Sequence, residues 1–389
     1  MRLLGKTEID FLGYRRAAAA LSALVILASL ISIAWHGGLR YGIDFAGGTQ
    51  VIVLFADAPD LEGLRDALSA QGIQEPTIQE FVAQEGRDEV LIRTPQTDEG
   101  GSLIAEIYAA LERYDPGDTG GRELDLNTVS RGVMTGRLFE LNPLEFDTLV
   151  DLENARLEYD RVTDVILGAR DAVGLLESWD AVDASGIDPR ILAWVKDTFY
   201  LGTHAVIGQE FVGPQVGADL RRQTLLAGLG ALAGLLLYIS YRFEFRFGIG
   251  AVAALVHDVT IAVGAFSLAN REFNLPVVAA FLTIIGYSLN DTVVVFDRIR
   301  ENAQTYRRMP LYERINLSIN QTLSRTVLTS GTTLVVVVSL FVYGGPVIND
   351  FAFALLVGVV VGTYSSIFIA SPVYYLLAQR ALDAAKKKR

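Results

Sequence analysis

Six apolar runs, each close to twenty residues long, constrain this 389-residue chain more than any other feature. A helix needs about 20 residues to cross roughly 30 Å of hydrocarbon. The runs occupy 17–35, 223–241, 247–269, 275–297, 326–344 and 350–378. They predict a polytopic α-helical membrane protein with six transmembrane helices. Arg15 and Arg16 precede the first run, as in a signal peptide. The run is longer than a usual signal core and no A-x-A pattern follows it, so it reads as a retained anchor.

Charge sets the expected orientation. Of the 45 acidic and 33 basic residues, 34 acidic and 14 basic lie between Trp35 and Arg221, a net of −20. The remainder nets +8, which together give the chain's −12. Basic residues gather in the 1–16 N-terminus, at Arg242 and Arg246, in the 298–325 segment, and in the 379–389 tail. Six spans place these clusters on one side, and the positive-inside rule makes that side the cytoplasm. Both termini and the 298–325 loop are then cytoplasmic, and the acidic 36–222 domain is exported. The short AAKKKR tail reads as an orienting cluster, not a nucleic-acid site. Cysteine is absent, so no disulfide framework exists.

The exported segment alternates strand and helix signals. Gln50–Phe55 alternates and is β-branched; Leu61, Leu64 and Leu68 have helical spacing, with Gly72 as the stop. Short strands follow at 77–81 and 90–94 around the polar turn AQEGRDE. A helix follows through Leu103, Ile107 and Leu111, then a last strand at 205–212. The order β-α-β-β-α-β predicts an α+β ferredoxin-like domain. A helical, acidic insertion at about 115–203 interrupts it. Two readings stay open for that insertion: a solvated helical decoration, or a docking surface for a partner. GIDFAGGTQ, residues 42–50, is not a phosphate loop, since it lacks the strand–loop–helix context and the Lys that such a loop needs. Gly47 and Gly48 fit a tight turn into the strand, and Asp44 is placed to bond that turn.

Inside the membrane runs, polar residues fall in stripes. Thr283, Tyr287, Asn290 and Asp291 share one face of the fourth span. Thr322, Arg325, Thr329, Thr332 and Thr333 do so in the fifth. In the third, Gly250, Ala254, Asp258 and Ala262 form a small-residue stripe broken by a carboxylate, with His257 beside it. A carboxylate in hydrocarbon costs several kcal/mol, so Asp291 is read as functional, paired across the helices with Arg325. A static ion pair is the alternative for those two. For His257 it is a packing histidine. Asp258 and Asp291 on neighbouring spans also raise an intramembrane aspartyl protease, against which GYSLND lacks the GxGD signature. No cofactor, metal-ligand cluster or nucleophile–base pair is legible.

Four stretches, GIDFAGGTQ, FVGPQVGADL (211–220), GYSLNDTVVVFDRIREN (286–302) and RTVLTSGTT (325–333), occur in this order and topology. Together they make the chain similar to the SecF family, the smaller half of the bacterial SecD–SecF protein-export complex, within the resistance–nodulation–division superfamily. The 115–203 insertion departs from the family pattern. The resemblance implies a non-enzymatic subunit in the bacterial inner membrane, with its large domain in the periplasm. It would couple the proton motive force to late steps of preprotein translocation. It implies SecD as the other half, the SecYEG channel and YajC as partners, and an unfolded preprotein as client. Asp291 and Arg325 correspond to proton-pathway residues, with Asn290, Thr329, Asp258 and His257 as further candidates. A small-molecule or lipid exporter of the same superfamily is the alternative.

Overall fold

A computed structural model describes residues 7–73, 76–82, 88–94, 100–114, 119–146, 152–242 and 244–387. Arg2, Lys6, Lys388 and Arg389 lie outside the described residues, as do positions 83–87 of the polar turn. The elements run α1 (Arg15–Trp35), α2 (Ile43–Ala46), β1 (Gly48–Phe55), α3 (Leu61–Ala70), β2 (Thr77–Val82), β3 (Asp88–Thr94) and α4 (Gly100–Tyr114). They continue with β4 (Leu124–Asp125), α5 (Arg131–Leu141), α6 (Leu152–Val173), α7 (Asp180–Asp183), α8 (Pro189–Thr198), β5 (Phe199–Tyr200) and β6 (His204–Val212). The last are α9 (Pro214–Arg242), α10 (Phe245–Leu268), α11 (Leu275–Thr305), α12 (Leu311–Tyr343), α13 (Gly345–Ser365), a π turn (Ser366–Ala370) and α14 (Ser371–Lys387). The chain divides into a helical unit, up to Phe45 and from Val216 onward, and an α/β unit from Ala46 to Gln215.

The α/β unit contains a four-stranded sheet in the order β2-β3-β1-β6, every pair antiparallel. That is the order a split βαβ pattern produces. Alternation along β1 buries Val51, Val53 and Phe55 on one face, where Leu64 and Leu68 of α3 and Ile107 and Leu111 of α4 cover them. Gly47 and Gly48 enter the strand at φ 78° and 140°, a conformation that glycine adopts without strain.

The insertion has its own interior. Leu126, Met134, Leu138, Tyr159, Ile166, Ile191 and Phe199 are buried together between α5, α6, α8 and the β4–β5 pair. Its longest helix is α6, which gives way at Gly174 with φ 74°. A buried carboxylate ties its two ends. Asp125 Oδ1 accepts from Asn127 N at 2.9 Å and from Gly202 N at 2.8 Å. Asn127 in turn donates to the carbonyls of Leu176 and Gly202. Burial pushes Asp125 above the usual carboxylate range, and these donors oppose that rise.

Among the described residues six helical stretches are long and apolar enough to cross a membrane: 15–35, 214–239, 245–268, 275–305, 311–343 and 348–386. The last passes through the π turn without a break. The 298–325 segment, read as a loop, is helical except around 306–310, because α11 and α12 both run on past their apolar stretches. Asn302 caps this hairpin's packing by donating to Ser318 and Gln321. Asp44 bonds a helix, not the turn beside it: its Oδ2 accepts the Leu275 N–H at 2.7 Å, next to the Asn274 cap of α11. A carboxylate is favourable at the positive end of a helix.

Small residues bring the helices together. A Cβ added at Gly358 would collide with Ile284, and one at Gly362 would lie 3.1 Å from Ser288 Cβ. So α13 lies directly on α11. A Cβ at Gly250 would stand 2.9 Å from the Ala370 carbonyl, which brings α10 against the π turn. This close approach places hydroxyl-bearing segments of α11 and α13 beside Asp258.

Candidate functional site

The structure resolves the polar residues of the helical unit into two buried carboxylate clusters that share α11 and α13. The first surrounds Asp258, which is fully buried. His257 Nδ1 lies 2.8 Å from its Oδ1. Ser288 of α11 and Ser365 of α13 both donate to its Oδ2, at 2.5 and 2.7 Å. His257 Nε2 is 3.0 Å from Ser22 Oγ of α1, and Ser22 lies 3.1 Å from the Tyr364 hydroxyl of α13. Tyr364 donates to the Ala18 carbonyl at 2.9 Å. Four helices therefore meet on one carboxylate with three partner groups.

The second cluster surrounds Asp291, which is 2% exposed. Among the described residues only hydroxyls bond it: Ser330 Oγ at 3.4 Å and Thr363. Those two lie 2.7 Å apart and Thr363 donates to the Val359 carbonyl at 2.7 Å, so the proton of Ser330 alone serves both Thr363 and Asp291. At most one O–H remains for Asp291. A buried carboxylate with so few donors is costly.

Arg325 does not pair with Asp291; among the described residues no ion pair joins them. Tyr287 meets Thr333, Asp291 meets Ser330 and Asn302 meets Ser318, so α11 and α12 run as an antiparallel hairpin. That register sets Arg325 level with Val295, four residues or about 6 Å from Asp291 along the axis. The guanidinium is exposed and acts on Asp291 through space. Asn290 and Thr329 are exposed as well, and Thr329 bonds back to the carbonyls of Arg325 and Thr326. The single polar face read from the sequence thus splits. Asp291 points inward, while Asn290, Arg325 and Thr329 point away from the helices of this chain.

Sequence reasoning missed Ser22, Ser288, Ser330 and the Thr363-Tyr364-Ser365 run. The run carried a signal, since with Ser366 it makes four consecutive hydroxyls in the middle of the last apolar stretch. It serves both clusters: Thr363 faces Asp291, Ser365 binds Asp258, and Tyr364 reaches α1.

Residues 195–380 match the C-terminal region of the SecD/SecF protein export membrane proteins, and 35–58 match the SecD/SecF GG motif, which contains Gly47 and Gly48. A "Protein translocase subunit SecF" from Koribacter versatilis is 41% identical over 384 residues, covering 96% of this chain and 92% of that one. The chain belongs to the SecD/SecF family. Its SecF relatives include one from Escherichia coli O157:H7, 32% identical across 99% of this chain and 92% of that one. A crystal structure of SecDF, described as a translocon-associated membrane protein from Thermus, superposes with a TM-score of 0.63 at 31% identity. It matches 98% of this chain, which spans only 39% of the SecDF chain. A SecDF in its super-membrane-facing form gives a TM-score of 0.57 at 30% identity.

As a SecF-family member the chain is a multi-pass membrane transport subunit, not an enzyme. The geometry agrees with the loss of the protease reading. Asp258 spends both oxygens on His257, Ser288 and Ser365, and Asp291 bonds elsewhere. An aspartyl dyad needs two carboxylates that share a proton.

Proposed function

We propose that this chain is the SecF half of a proton-driven protein-export engine, with Asp291 as the group that takes up and releases the proton. The observation that carries this reading is the poverty of the Asp291 site: a buried carboxylate with one available hydroxyl and a cation nearby but unpaired. Burial strips the charged form of the water that would favour it, while the nearby cation and hydroxyl work the other way, and these opposing effects bring the two states close in cost. One proton crossing 100 mV releases about 2.3 kcal/mol, enough to bias a two-state arrangement of helices.

Arg325 serves as the counter-charge, engaged when Asp291 ionises and released when it is protonated. The outward stripe of Asn290, Arg325 and Thr329 is the face that a SecD subunit covers, since transporter sites form between repeats. The acidic α/β unit lies in the periplasm and both termini in the cytoplasm, as the distribution of basic residues supports. The assembly works with SecYEG and YajC on an unfolded preprotein. In this reading the spans are 17–35, 223–241, 247–269, 275–297, 326–344 and 350–378, and 36–222 is the exported domain.

In proteoliposomes holding the complete complex, Asp291→Asn should lose the dependence of export on a proton gradient while the complex still assembles. Wild-type gradient dependence in that variant would end the proposal.

A further inference from the structure

The hydrogen-bond chain from Tyr364 to Asp258 has a direction, and the direction fixes a proton. A phenol and a serine each own one donatable proton; an imidazole nitrogen donates only when it carries one. Tyr364 gives its proton to the Ala18 carbonyl at 2.9 Å. The 3.1 Å contact between Ser22 and Tyr364 is then filled by the proton of Ser22. Ser22 has nothing left to give to His257, so the 3.0 Å contact is filled from the imidazole side, and Nε2 carries hydrogen. A further proton occupies the 2.8 Å gap between Nδ1 and Asp258 Oδ1, because two bare acceptors would repel there.

We infer that His257 and Asp258 are a proton-loaded, electrically neutral pair, a second proton-holding site that pins α1 to α10, α11 and α13. Whether the shared proton sits on Nδ1 or on Oδ1, the pair has no net charge. The alternative arrangement has His257 protonated on Nδ1 alone beside a bare carboxylate. It takes the proton of Ser22 for Nε2, which leaves one contact of Tyr364 as two oxygens with no hydrogen between them, either the 3.1 Å contact with Ser22 or, if the phenol turns, the 2.9 Å contact with Ala18. It also places a net negative charge in hydrocarbon, which is costly. Two independent considerations thus favour the loaded state.

The surroundings hold no cation that would offset that charge in the bonds made to the pair. α1 brings the Ser22 hydroxyl, α11 brings Ser288, and α13 brings Ser365 and, through Ser22, the phenol of Tyr364. The other titratable groups on these helices nearest the pair are the phenols of Tyr364, stacked 6.0 Å from the imidazole, and of Tyr287, beside Ser288; Asp291 lies three residues beyond Ser288. Loss of the resident proton would have to turn Ser22 toward Nε2 and empty one of the two contacts of Tyr364. None of this depends on the role proposed for Asp291.

The test is ¹⁵N NMR of histidine in the full-length chain in lipid nanodiscs, with His36→Gln and His204→Gln leaving one histidine. Nε2 should report a protonated nitrogen at neutral pH. A bare Nε2 with protonated Nδ1 would overturn the assignment. A second variant keeps the question open to refutation if those substitutions perturb folding. Asp258→Asn can present an amide N–H to Nδ1 and its oxygen to Ser288 and Ser365. In it Nε2 should remain protonated and Nδ1 become fully bare; loss of the Nε2 proton would refute the pair. Both readouts are taken without export, so their failure is distinct from a failure at Asp291.

Discussion

Asp258 and Asp291 are both buried carboxylates on adjacent helices of one bundle, yet they are provided for in opposite ways. Asp258 receives an imidazole and two serine hydroxyls. Asp291 receives at most one hydroxyl, already shared with Thr363. A buried polar group with its full set of partners is held in one state, whereas one short of partners is poised between states. The same helix pair, α11 and α13, therefore supplies a fully bonded acid on one side and, on the other, the sparsely bonded acid proposed as the switch. The difference lies in which hydroxyls of the Thr363-Tyr364-Ser365 run turn toward which acid.

The largest expected effect breaks the pin. Asp258→Ala orphans His257, Ser288 and Ser365 and should destabilise the helical unit by about 3–5 kcal/mol, the usual cost of removing one partner from a buried network. Asp291→Ala removes a group with one weak bond and should cost about 1 kcal/mol or less. Unfolding of the two variants in matched micelles compares them, and equal losses would erase the distinction. Next, Gly358→Val drives a side chain into Ile284 and should cost about 1–3 kcal/mol through overpacking. Cross-linking between α11 and α13 should weaken in that variant, and an unchanged yield would mean the helices are not held this closely.

A carboxylate outside the hydrocarbon sharpens the comparison. Asp125 is held above the ordinary range by burial. A raised value means the fold favours the protonated form. That stabilisation is complete below the unfolded value and is lost as pH rises through the folded one. Hydrogen exchange at Gly202 and Leu176 should show the insertion root opening more easily with rising pH, and Asp125→Asn should flatten that trend. The smallest effect belongs to Ser330→Ala, which should change stability by about 1 kcal/mol or less. It should still alter the pH dependence of export, because Asp291 loses its available donor. A pH profile identical to wild type would place Ser330 outside the site.

Much of this was readable in advance. The six apolar runs and the β-α-β-β-α-β order required only hydropathy and period, both local properties of the chain. Gly47 and Gly48 announced a turn for the same reason. Asp291 announced itself by being a charge in an apolar run. What failed was pairing. Arg325 shares a helical face with Thr329 but pairs with no carboxylate among the described residues, since the offset of α12 along α11 is set by packing. Asp44 bonds Leu275 N–H, a partner 231 positions away, where adjacency had suggested its own turn.

The sequence by itself determined which segments are long and apolar enough to cross a membrane, the strand and helix order of the α/β unit, and the presence of acids within those apolar segments. Those follow from transfer free energies and backbone periodicity, which act residue by residue. Only the tertiary structure decided which acid is satisfied, because Ser22 and Ser365 lie 235 and 107 residues from their partners at His257 and Asp258. A serine in a membrane helix looks the same in sequence whether it bonds its own backbone or a distant carboxylate. The close approach of α13 to α11 at Gly358 and Gly362 makes that choice.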